Sequence, residues 1–300
     1  MDKAWLEERK TGIGGSDAGA VCGVSGWKTP LQVWNEKMGL TGPQEDNPAM
    51  FWGRALEPVV RQKYSDETGR AVLIPKGMLR HPDYPFMLAN LDGFTEDGRL
   101  VEIKTAGYSF GWGENGTDDI PINYLLQVQH YMAVTGLKVT DMPVLIGGQD
   151  FRIYEIPEDK QIQKLIINRE SAFWSMVEAG TPPDPESYRE IKEFYKNSEA
   201  SRIVASGEVE AALERLIEAR KTMKDLEEEE EAAKRIIMLN MGASDTLVSP
   251  AGVVLATWKS GKPPKRFDAK GLEMDLPETY RLYLKEGEPV RRLLIKEDKK

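Results

Sequence analysis

The sequence is poor in the side chains that bind soft metals or form covalent cross-links. Its 300 residues include one cysteine, Cys22, and two histidines, His81 and His130. A single thiol permits no internal disulfide, no cysteine zinc site and no iron–sulfur cluster. The histidines are not spaced as a ligand pair, so we expect structural roles for both, and for Cys22 the role of a small buried apolar residue.

Long hydrophobic runs are also absent. The longest uncharged apolar stretches are short, as at residues 142–148, and a membrane helix needs about 20 apolar residues. The N-terminal segment is charged where a signal peptide would be apolar. With 40% hydrophobic and 30% charged residues, the composition is that of a soluble globular chain with a real core. We therefore expect a cytoplasmic protein that does not contact membranes.

The negative charge is unevenly distributed. The formal net charge is −9, with 21 basic against 30 acidic residues in 1–200 and 19 of each in 201–300. Residues 259–270 form a basic segment, which could follow DNA phosphates or be a solvated loop. The acidic total does not exclude a nucleic-acid substrate, because bound cations and a local basic rim determine the field that DNA meets. The basic side chains of this segment are Lys259, Lys262, Lys265, Arg266 and Lys270.

Apolar periodicity, caps and turn signals predict an α/β domain at 1–200, a long helical arm at 201–242 and a small β-containing module at 243–300. Helices are expected at 5–10, after a cap at Ser16, and at 30–39, 53–69, 121–135, 158–178, 206–240 and about 279–285. Strands are expected at 86–94, 99–105, 142–146, 151–156, 246–248 and 253–258. The arm carries apolar residues at heptad spacing, which fits either packing on its own domain or association with another helix.

A hairpin joins the first two of these strands. The Asp97-Gly98 pair is a strong turn signal, and a three-residue connection with Gly98 left-handed would place Asp92 opposite Glu102. Because side chains alternate along a strand, Glu102 and Lys104 then share one face of the sheet.

Two carboxylates and an ammonium thus converge across the hairpin. Asp92, Glu102 and the Ile103 carbonyl are hard oxygen donors of the kind that Mg²⁺ prefers, and Glu57 on a neighbouring helix would add a fourth. Lys104 could hold the water that attacks a phosphodiester. An aspartate at a turn and an exposed Glu/Lys pair on an edge strand would have the same spacing. The apolar residues around Glu102 indicate instead a mostly buried strand, where unpaired charge is costly.

Five motifs occur together in one order. They are Gly12-Ile-Gly-Gly-Ser16-Asp-Ala, Gly53-x-x-Leu-Glu57-Pro, Leu91-Asp92-Gly, Val101-Glu102-Ile-Lys104-Thr, and Pro121-x-x-Tyr-x-x-Gln127-x-Gln-x-Tyr131-Met. In this order they resemble the YqaJ-like viral recombinases, the phage lambda-exonuclease branch of the PD-(D/E)xK nucleases. The resemblance covers roughly residues 5–180. It implies a restriction-endonuclease-like core, with a central mixed β-sheet flanked by helices.

The resemblance also implies an activity. Its members are Mg²⁺-dependent exonucleases, with Mn²⁺ expected to substitute, that resect linear duplex DNA from the 5′ end by two-metal-type hydrolysis. It implies metal ligation by Glu57, Asp92, Glu102 and the Ile103 carbonyl, and positioning of the nucleophile by Lys104.

Further residues take their expected roles from the same resemblance. Gln127 and Tyr131 would lie over the active site and contact DNA or the lysine, and Arg9 and Ser16 would grip the 5′-terminal phosphate. Expected partners are DNA ends, a single-strand annealing protein and further copies of the chain. A phage or prophage origin follows.

Two other functions stay open at this level. The same site could serve a structure-specific DNA endonuclease, or the chain could be a non-catalytic DNA-end adaptor in recombination. Tyr108 and Trp112 follow Lys104 in a glycine-rich segment, where they could stack on an end base or pack within a loop.

Overall fold

A computed structural model describes residues 3–42, 46–287 and 290–296, and the chain divides into two compact units, Met1–Phe194 and Tyr195–Lys300. The helices of the first unit are α1 (Lys3–Lys10), α2 (Gly15–Val21), α3 (Pro30–Lys37), α4 (Pro48–Thr68), α5 (Ile122–Thr135), α6 (Lys160–Ala179) and α7 (Tyr188–Phe194). Its strands are β1 (Ile13–Gly14), β2 (Val72–Leu73), β3 (Leu79–Arg80), β4 (Met87–Ala89), β5 (Gly93–Thr95), β6 (Arg99–Val101), β7 (Lys104–Ala106), β8 (Val139–Ile146) and β9 (Asp150–Pro157). The predicted α/β fold, with a mixed sheet flanked by helices, is confirmed.

The larger sheet is mixed and is organised around the long strand β8. The first half of β8 pairs in parallel with β6, its second half pairs in parallel with β7, and β9 runs antiparallel along its other side. The predicted strand 99–105 is therefore interrupted at Glu102 and Ile103. The Ile103 N–H donates to the Asp92 carboxylate at 2.8 Å, and this tertiary contact breaks the regular strand.

The predicted strand 86–94 is divided as well. Its first part, β4, belongs to a second sheet with parallel β1 and antiparallel β3, and its last part, β5, belongs to the larger sheet. The chain crosses between the two sheets at residues 90–92. The hairpin register is as predicted, because Gly93 pairs with Val101 and Phe94 with Leu100, which sets Asp92 beside Glu102. Gly98 is left-handed, with φ of 82°, also as predicted.

Helix boundaries follow local capping with two corrections. Helix α4 begins at Pro48, not near Gly53, because the Asn47 side chain accepts from the Met50 N–H at 2.9 Å and caps an earlier start. Helix α2 begins at Gly15 with Gly14 as its N-cap, so Ser16 lies in the first turn and is not the cap. The ends of α4, α5 and α6 fall at left-handed glycines, as predicted.

Helix α5 lies at the centre of the core. Eight of its residues between Leu126 and Val134 are buried, since α2, α6 and β4 cover it. Its closest neighbour is α2: a Cβ built on Gly15 would lie 2.4 Å from the Tyr131 ring. The contact between these two helices therefore requires glycine at position 15.

The second unit contains a long helix and a hairpin. Its elements are α8 (Gly207–Met241), β10 (Thr246–Val248), β11 (Val254–Thr257), α9 (Ala269–Asp275) and α10 (Pro277–Tyr283). Helix α8 and the hairpin match the predictions, and α10 corresponds to the short helix expected near 279–285. Helix α9 was not predicted. Apolar residues at the predicted heptad positions of α8, such as Val209 and Met223, are exposed. The arm's association with another helix and the boundaries at 200 and 242 stay predictions.

No helix within the described ranges combines the length and apolar character required to cross a membrane.

The close approach of α2 and α5 gives a first testable prediction. Gly15→Ala should lower the free energy of unfolding by about 1–3 kcal/mol, because the added methyl group overlaps the Tyr131 ring. Gly53→Ala is the matched control, since its Cβ would meet only the Thr105 hydroxyl at 3.8 Å and alanine favours helix α4. Urea unfolding of both variants measures the difference, and equal stabilities would contradict the packing described here.

Candidate active site

The site forms where two strand interruptions meet. Asp92 lies where the chain crosses between sheets, and Glu102 lies at the break between β6 and β7. The Asp92 carboxylate holds the Ile103 N–H at 2.8 Å, while the Glu102 N–H donates to the Asp141 carbonyl at 3.1 Å. The backbone around both carboxylates is therefore fixed from both sides.

Glu102 is the most constrained carboxylate of the site. It is 2% exposed, and its Oε1 accepts from Lys104 Nζ at 2.6 Å and from Gln127 Nε2 at 2.7 Å. Its Oε2 is buried and has no hydrogen-bond partner among the described residues. Burial, reinforced by the negative charge of Asp92, raises the pKa of Glu102 to about 8.

Lys104 remains a cation in these surroundings. Burial works against its charged form, but the carboxylates of Glu102 and Asp92 outweigh this effect and raise its pKa. Its ammonium lies 5.0 Å from the centre of the Tyr124 ring, a further favourable contact for positive charge.

Glu57 is within electrostatic reach of the other carboxylates but has its own partner. The Arg61 guanidinium, one helical turn further along α4, donates to the Glu57 carboxylate. Burial and the charge of Asp92 raise the pKa of Glu57. Across the described residues, no three His, Cys, Asp or Glu side chains are grouped as a ready metal site. The structure thus brings Asp92, Glu102 and Lys104 together and leaves Glu57 paired with Arg61.

The donor set nevertheless fits a hard divalent cation. The negative charge of Asp92 adds to burial in raising the pKa of Glu102, and the buried Oε2 of Glu102 has no hydrogen-bond partner within the described part of the chain. A cation would compensate both features, and carboxylate oxygens are the ligands that Mg²⁺ prefers.

Arg61 was missed in the sequence reading. Its spacing of four residues from Glu57 on a predicted helix was the available signal. Its Nε is buried without a hydrogen-bond partner within the described part of the chain, and its charge lowers the pKa of Asp92 against the larger opposing effect of burial.

Helix α5 contributes Gln127 and Tyr131, which adjoin the site. Their expected contact with DNA or the lysine stays a prediction. The Gln127 amide donates to Glu102 and lies 3.3 Å from the Tyr131 hydroxyl. Because an ammonium and an amide NH₂ are both donors, Lys104 and Gln127 converge on the same carboxylate oxygen.

Arg9 and Ser16 are brought together at a second, smaller cleft. Arg9 Nη2 donates to Ser16 Oγ at 3.2 Å and to Asp17 Oδ1 at 3.2 Å. The cleft has a volume of about 70 Å³, and Arg9, Ser16 and Tyr131 line it. The binding of a terminal phosphate by Arg9 and Ser16 stays a prediction.

Asp17 organises the cations behind this cleft. It is fully buried and accepts from Lys37 at 2.7 Å, from Arg9, and from Lys28 at 3.4 Å. Burial alone would raise the pKa of Asp17, but the charges of Lys37, Arg9 and Lys28 hold it well below its ordinary range. Lys28 also pairs with Glu36, at 2.9 Å, so this group sets three cations against two carboxylates and carries one net positive charge.

The histidines have the structural roles expected. His130 is buried, with Nδ1 2.8 Å from Glu170 and Nε2 2.9 Å from the Leu88 carbonyl. His81 Nδ1 accepts from the N–H groups of Asp83 and Tyr84 within a turn.

Comparison with known proteins identifies the family. The YqaJ-like viral recombinase domain model matches residues 4–138. An uncharacterized protein, YqaJ of Bacillus subtilis (strain 168), is 32% identical over 301 aligned residues, which cover 98% of this chain and 93% of that protein. The chain belongs to the YqaJ-like viral recombinase family.

This relative extends the family likeness beyond the motifs. They reach only to about residue 180, whereas the alignment with the Bacillus subtilis protein covers nearly the whole chain, including most of the second unit. The family model itself ends at residue 138, within the first unit.

Solved structures show weaker similarity. An alkaline exonuclease from Laribacter hongkongensis is 24% identical with a TM-score of 0.49, over 60% of this chain and 94% of that one. A phage related exonuclease from Haemophilus somnus 129PT is 10% identical with a TM-score of 0.44, over 56% and 94% of the two chains.

The buried Asp17 cluster of this YqaJ-like chain gives a second prediction. Asp17→Asn should lower the free energy of unfolding at pH 7 by about 3–5 kcal/mol, because it leaves the buried Lys37 without its counter-charge. Since the folded-state pKa of Asp17 lies below its unfolded value, the wild-type advantage is present above the unfolded pKa, near 3.8, and shrinks as the pH falls below it.

Urea unfolding between pH 7 and pH 3 measures this difference. Asp46→Asn is the control, because Asp46 and its ion-pair partner Arg54 are both exposed, so stability should change little. A pH-independent difference for Asp17→Asn would contradict the assigned role of its charge.

Proposed function

We propose that this protein is a Mg²⁺-dependent exonuclease that resects linear duplex DNA from its 5′ ends, with Mn²⁺ able to replace Mg²⁺. The observation that carries the proposal is the group of Asp92, buried Glu102 and Lys104 at the interrupted strand, in which one Glu102 oxygen has no hydrogen-bond partner among the described residues. Membership of the YqaJ-like viral recombinase family supports it.

Asp92, Glu102, the Ile103 carbonyl and, once separated from Arg61, Glu57 would hold the metal. When bound, a divalent cation supplies Lewis-acid stabilisation of phosphate charge and lowers the pKa of coordinated water; two such ions would form a two-metal site.

Lys104 acts as a hydrogen-bond donor. Because its pKa is raised, its ammonium stays protonated at neutral pH and has no lone pair with which to accept a proton. It can orient a water molecule and stabilise negative charge on the phosphate oxygens. Gln127 holds Glu102 from the opposite helix and so fixes the position of the carboxylate that anchors Lys104.

The polarity of resection comes from the second cleft. Arg9 offers a charged donor beside the Ser16 hydroxyl, a pairing suited to a terminal phosphate, which carries more charge than an internal one. The three cations around Asp17 exceed the carboxylates of Asp17 and Glu36 by one charge, which adds a positive field in the same region. A 5′-phosphate bound there would present the first phosphodiester to the Lys104 site.

Digestion of labelled DNA tests the proposal. Linear duplex labelled at each 5′ end and covalently closed circular DNA are incubated with Mg²⁺ and wild type, Glu102→Ala or Glu96→Ala. Glu96 is the control because it is an exposed carboxylate in the turn of the same hairpin. We expect loss of 5′ label from linear DNA by wild type and Glu96→Ala, with the circle intact and Glu102→Ala inactive.

Two outcomes would contradict the proposal. Cutting of the circle by wild type would indicate an endonuclease using the same site. No wild-type cleavage with any divalent metal would indicate a DNA-end adaptor.

Lys104 gives a third prediction. Lys104→Ala should reduce the cleavage rate by a factor on the order of 10² to 10³, because the nucleophile and the phosphate lose a charged donor. Single-turnover digestion measures the rate, and thermal unfolding verifies that the variant is folded. Lys63→Ala, an exposed lysine of α4, should cleave at the wild-type rate. Undiminished cleavage by Lys104→Ala would remove the lysine from the mechanism.

Arg9 gives a fourth prediction. Wild type should prefer a 5′-phosphorylated end over a 5′-hydroxyl end, and Arg9→Ala should reduce that ratio roughly tenfold, because it removes a charged hydrogen bond to the phosphate. The neighbouring Lys10, which pairs with Glu7 on the surface, provides the control Lys10→Ala with an unchanged ratio. If Arg9→Ala keeps the wild-type preference for phosphorylated ends, Arg9 does not bind the terminal phosphate.

The resected strand suggests the partners. Removal of one strand exposes single-stranded DNA, which a single-strand annealing protein would receive. The exposed apolar positions of α8 are available for a further copy of the chain or for that protein.

A further inference from the structure

A larger cleft opens beside Lys104, and no ligand has been assigned to it above. Its volume is about 190 Å³, and its lining includes Lys104 and Gln127 at one end and Ser16 at the other. Ser16 also lines the smaller cleft of Arg9, so the two clefts share a wall. The remaining lining comes mainly from Ser25, Trp27, Asn123 and Tyr124.

One side of this cleft is aromatic. Trp27 is 68% exposed, and its ring centre lies 6.4 Å from that of Tyr124 at an interplanar angle of 41°. Tyr124 is fixed from its other side by Trp112, at 5.3 Å and 24°, and Trp112 in turn packs on the buried Tyr154. The wall is therefore anchored in the core and ends in an exposed indole. Such a surface favours stacking by a planar ring.

The other features of the cleft are polar. Asn123 lines it, and the Asn123 Oδ1 atom is buried without a hydrogen-bond partner among the described residues. The Ser25 hydroxyl accepts from the N–H groups of Trp27 at 3.4 Å and Lys28 at 3.2 Å, which fixes the turn that presents the indole. An aromatic wall with polar side chains beside it matches a nucleobase, which has a planar face and polar edges.

The position of the cleft limits which base can enter. In the proposed function, one phosphate lies at Arg9 and Ser16 and the next lies at Lys104. The part of a DNA strand between two consecutive phosphates is a single nucleoside. A cleft that joins the two phosphate positions is therefore placed to receive the sugar and base of the first nucleotide.

We infer that this cleft binds the base of the 5′-terminal nucleotide, stacked on Trp27, before that nucleotide is released. The inference rests on the proposed function, since the exonuclease reaction supplies the terminal nucleotide. Base stacking on Trp27 would add a contact to the DNA end beyond those made to its phosphates.

Binding of two DNA ends tests the inference without cleavage. Both duplexes carry a 5′-phosphate, and one lacks the base of the 5′-terminal nucleotide, with a tetrahydrofuran in its place. Fluorescence anisotropy in EDTA gives the Kd of each end for wild type, Trp27→Ala, Trp27→Phe and Trp52→Ala. Trp52 is the matched control, because it is an exposed tryptophan that does not line the cleft.

Wild type should bind the intact end roughly tenfold more tightly than the abasic end. Trp27→Ala should bind the two ends equally, Trp27→Phe should keep most of the preference, and Trp52→Ala should keep all of it. Equal binding of the two ends by wild type would overturn the inference, as would an unchanged preference in Trp27→Ala.

Digestion of the intact end with Mg²⁺, run beside the binding series, separates the two claims. Tighter binding of the intact end without cleavage would support base binding in the cleft and reject the exonuclease activity. Cleavage without tighter binding of the intact end would support the exonuclease activity and reject base binding in the cleft.

Discussion

The burial of Glu102 beside a second carboxylate is the constraint on which the rest of the site depends. Two negative groups in a poorly solvated place are unfavourable unless positive charge compensates them, and burial together with Asp92 raises the pKa of Glu102 to about 8. Lys104 and Gln127 satisfy one oxygen, and the other has no hydrogen-bond partner among the residues that the structure describes. The interrupted strand maintains this arrangement, because the Asp92 carboxylate holds the backbone next to Glu102. A carboxylate so placed is unfavourable for stability alone, and the proposed cation site would account for it.

Helix α5 connects this carboxylate to the rest of the first unit. Gln127 contacts Glu102, and Tyr131, one turn later, lines the small cleft of Arg9. Between them His130 is held by Glu170 on α6, where the carboxylate outweighs the effect of burial and raises the pKa of the histidine. One buried helix thus sets the position of both clefts, and its close packing on Gly15 fixes α2 against it. The proposed binding of the 5′ end and the proposed cleavage site are parts of one rigid core.

The features predicted correctly depend on short-range signals. Gly98 fixed the hairpin register, and with it the pairing of the two carboxylates, because a left-handed turn of defined length determines which residues face each other. The strand interruption was missed because it depends on a contact between the Asp92 side chain and the Ile103 backbone. The alternation of polar and apolar residues along the strand does not predict such a contact. Ser16 was assigned as a cap, but the helix starts two residues earlier than that cap implies, where the Gly14 N–H donates to the Asp17 carboxylate. Helical spacing placed Arg61 near Glu57, but it did not predict that Arg61 would pair with this proposed metal ligand.

Thermal unfolding with and without a divalent cation tests the central claim most directly. If the buried carboxylates form a cation site, Mg²⁺ or Mn²⁺ should raise the Tm of the wild-type protein in a concentration-dependent manner, since a ligand that binds only the folded state stabilises it. Glu102→Gln, which removes the charge and keeps the shape, should abolish most of that increase. A wild-type Tm that does not respond to either cation, or an equal response in Glu102→Gln, would contradict the account.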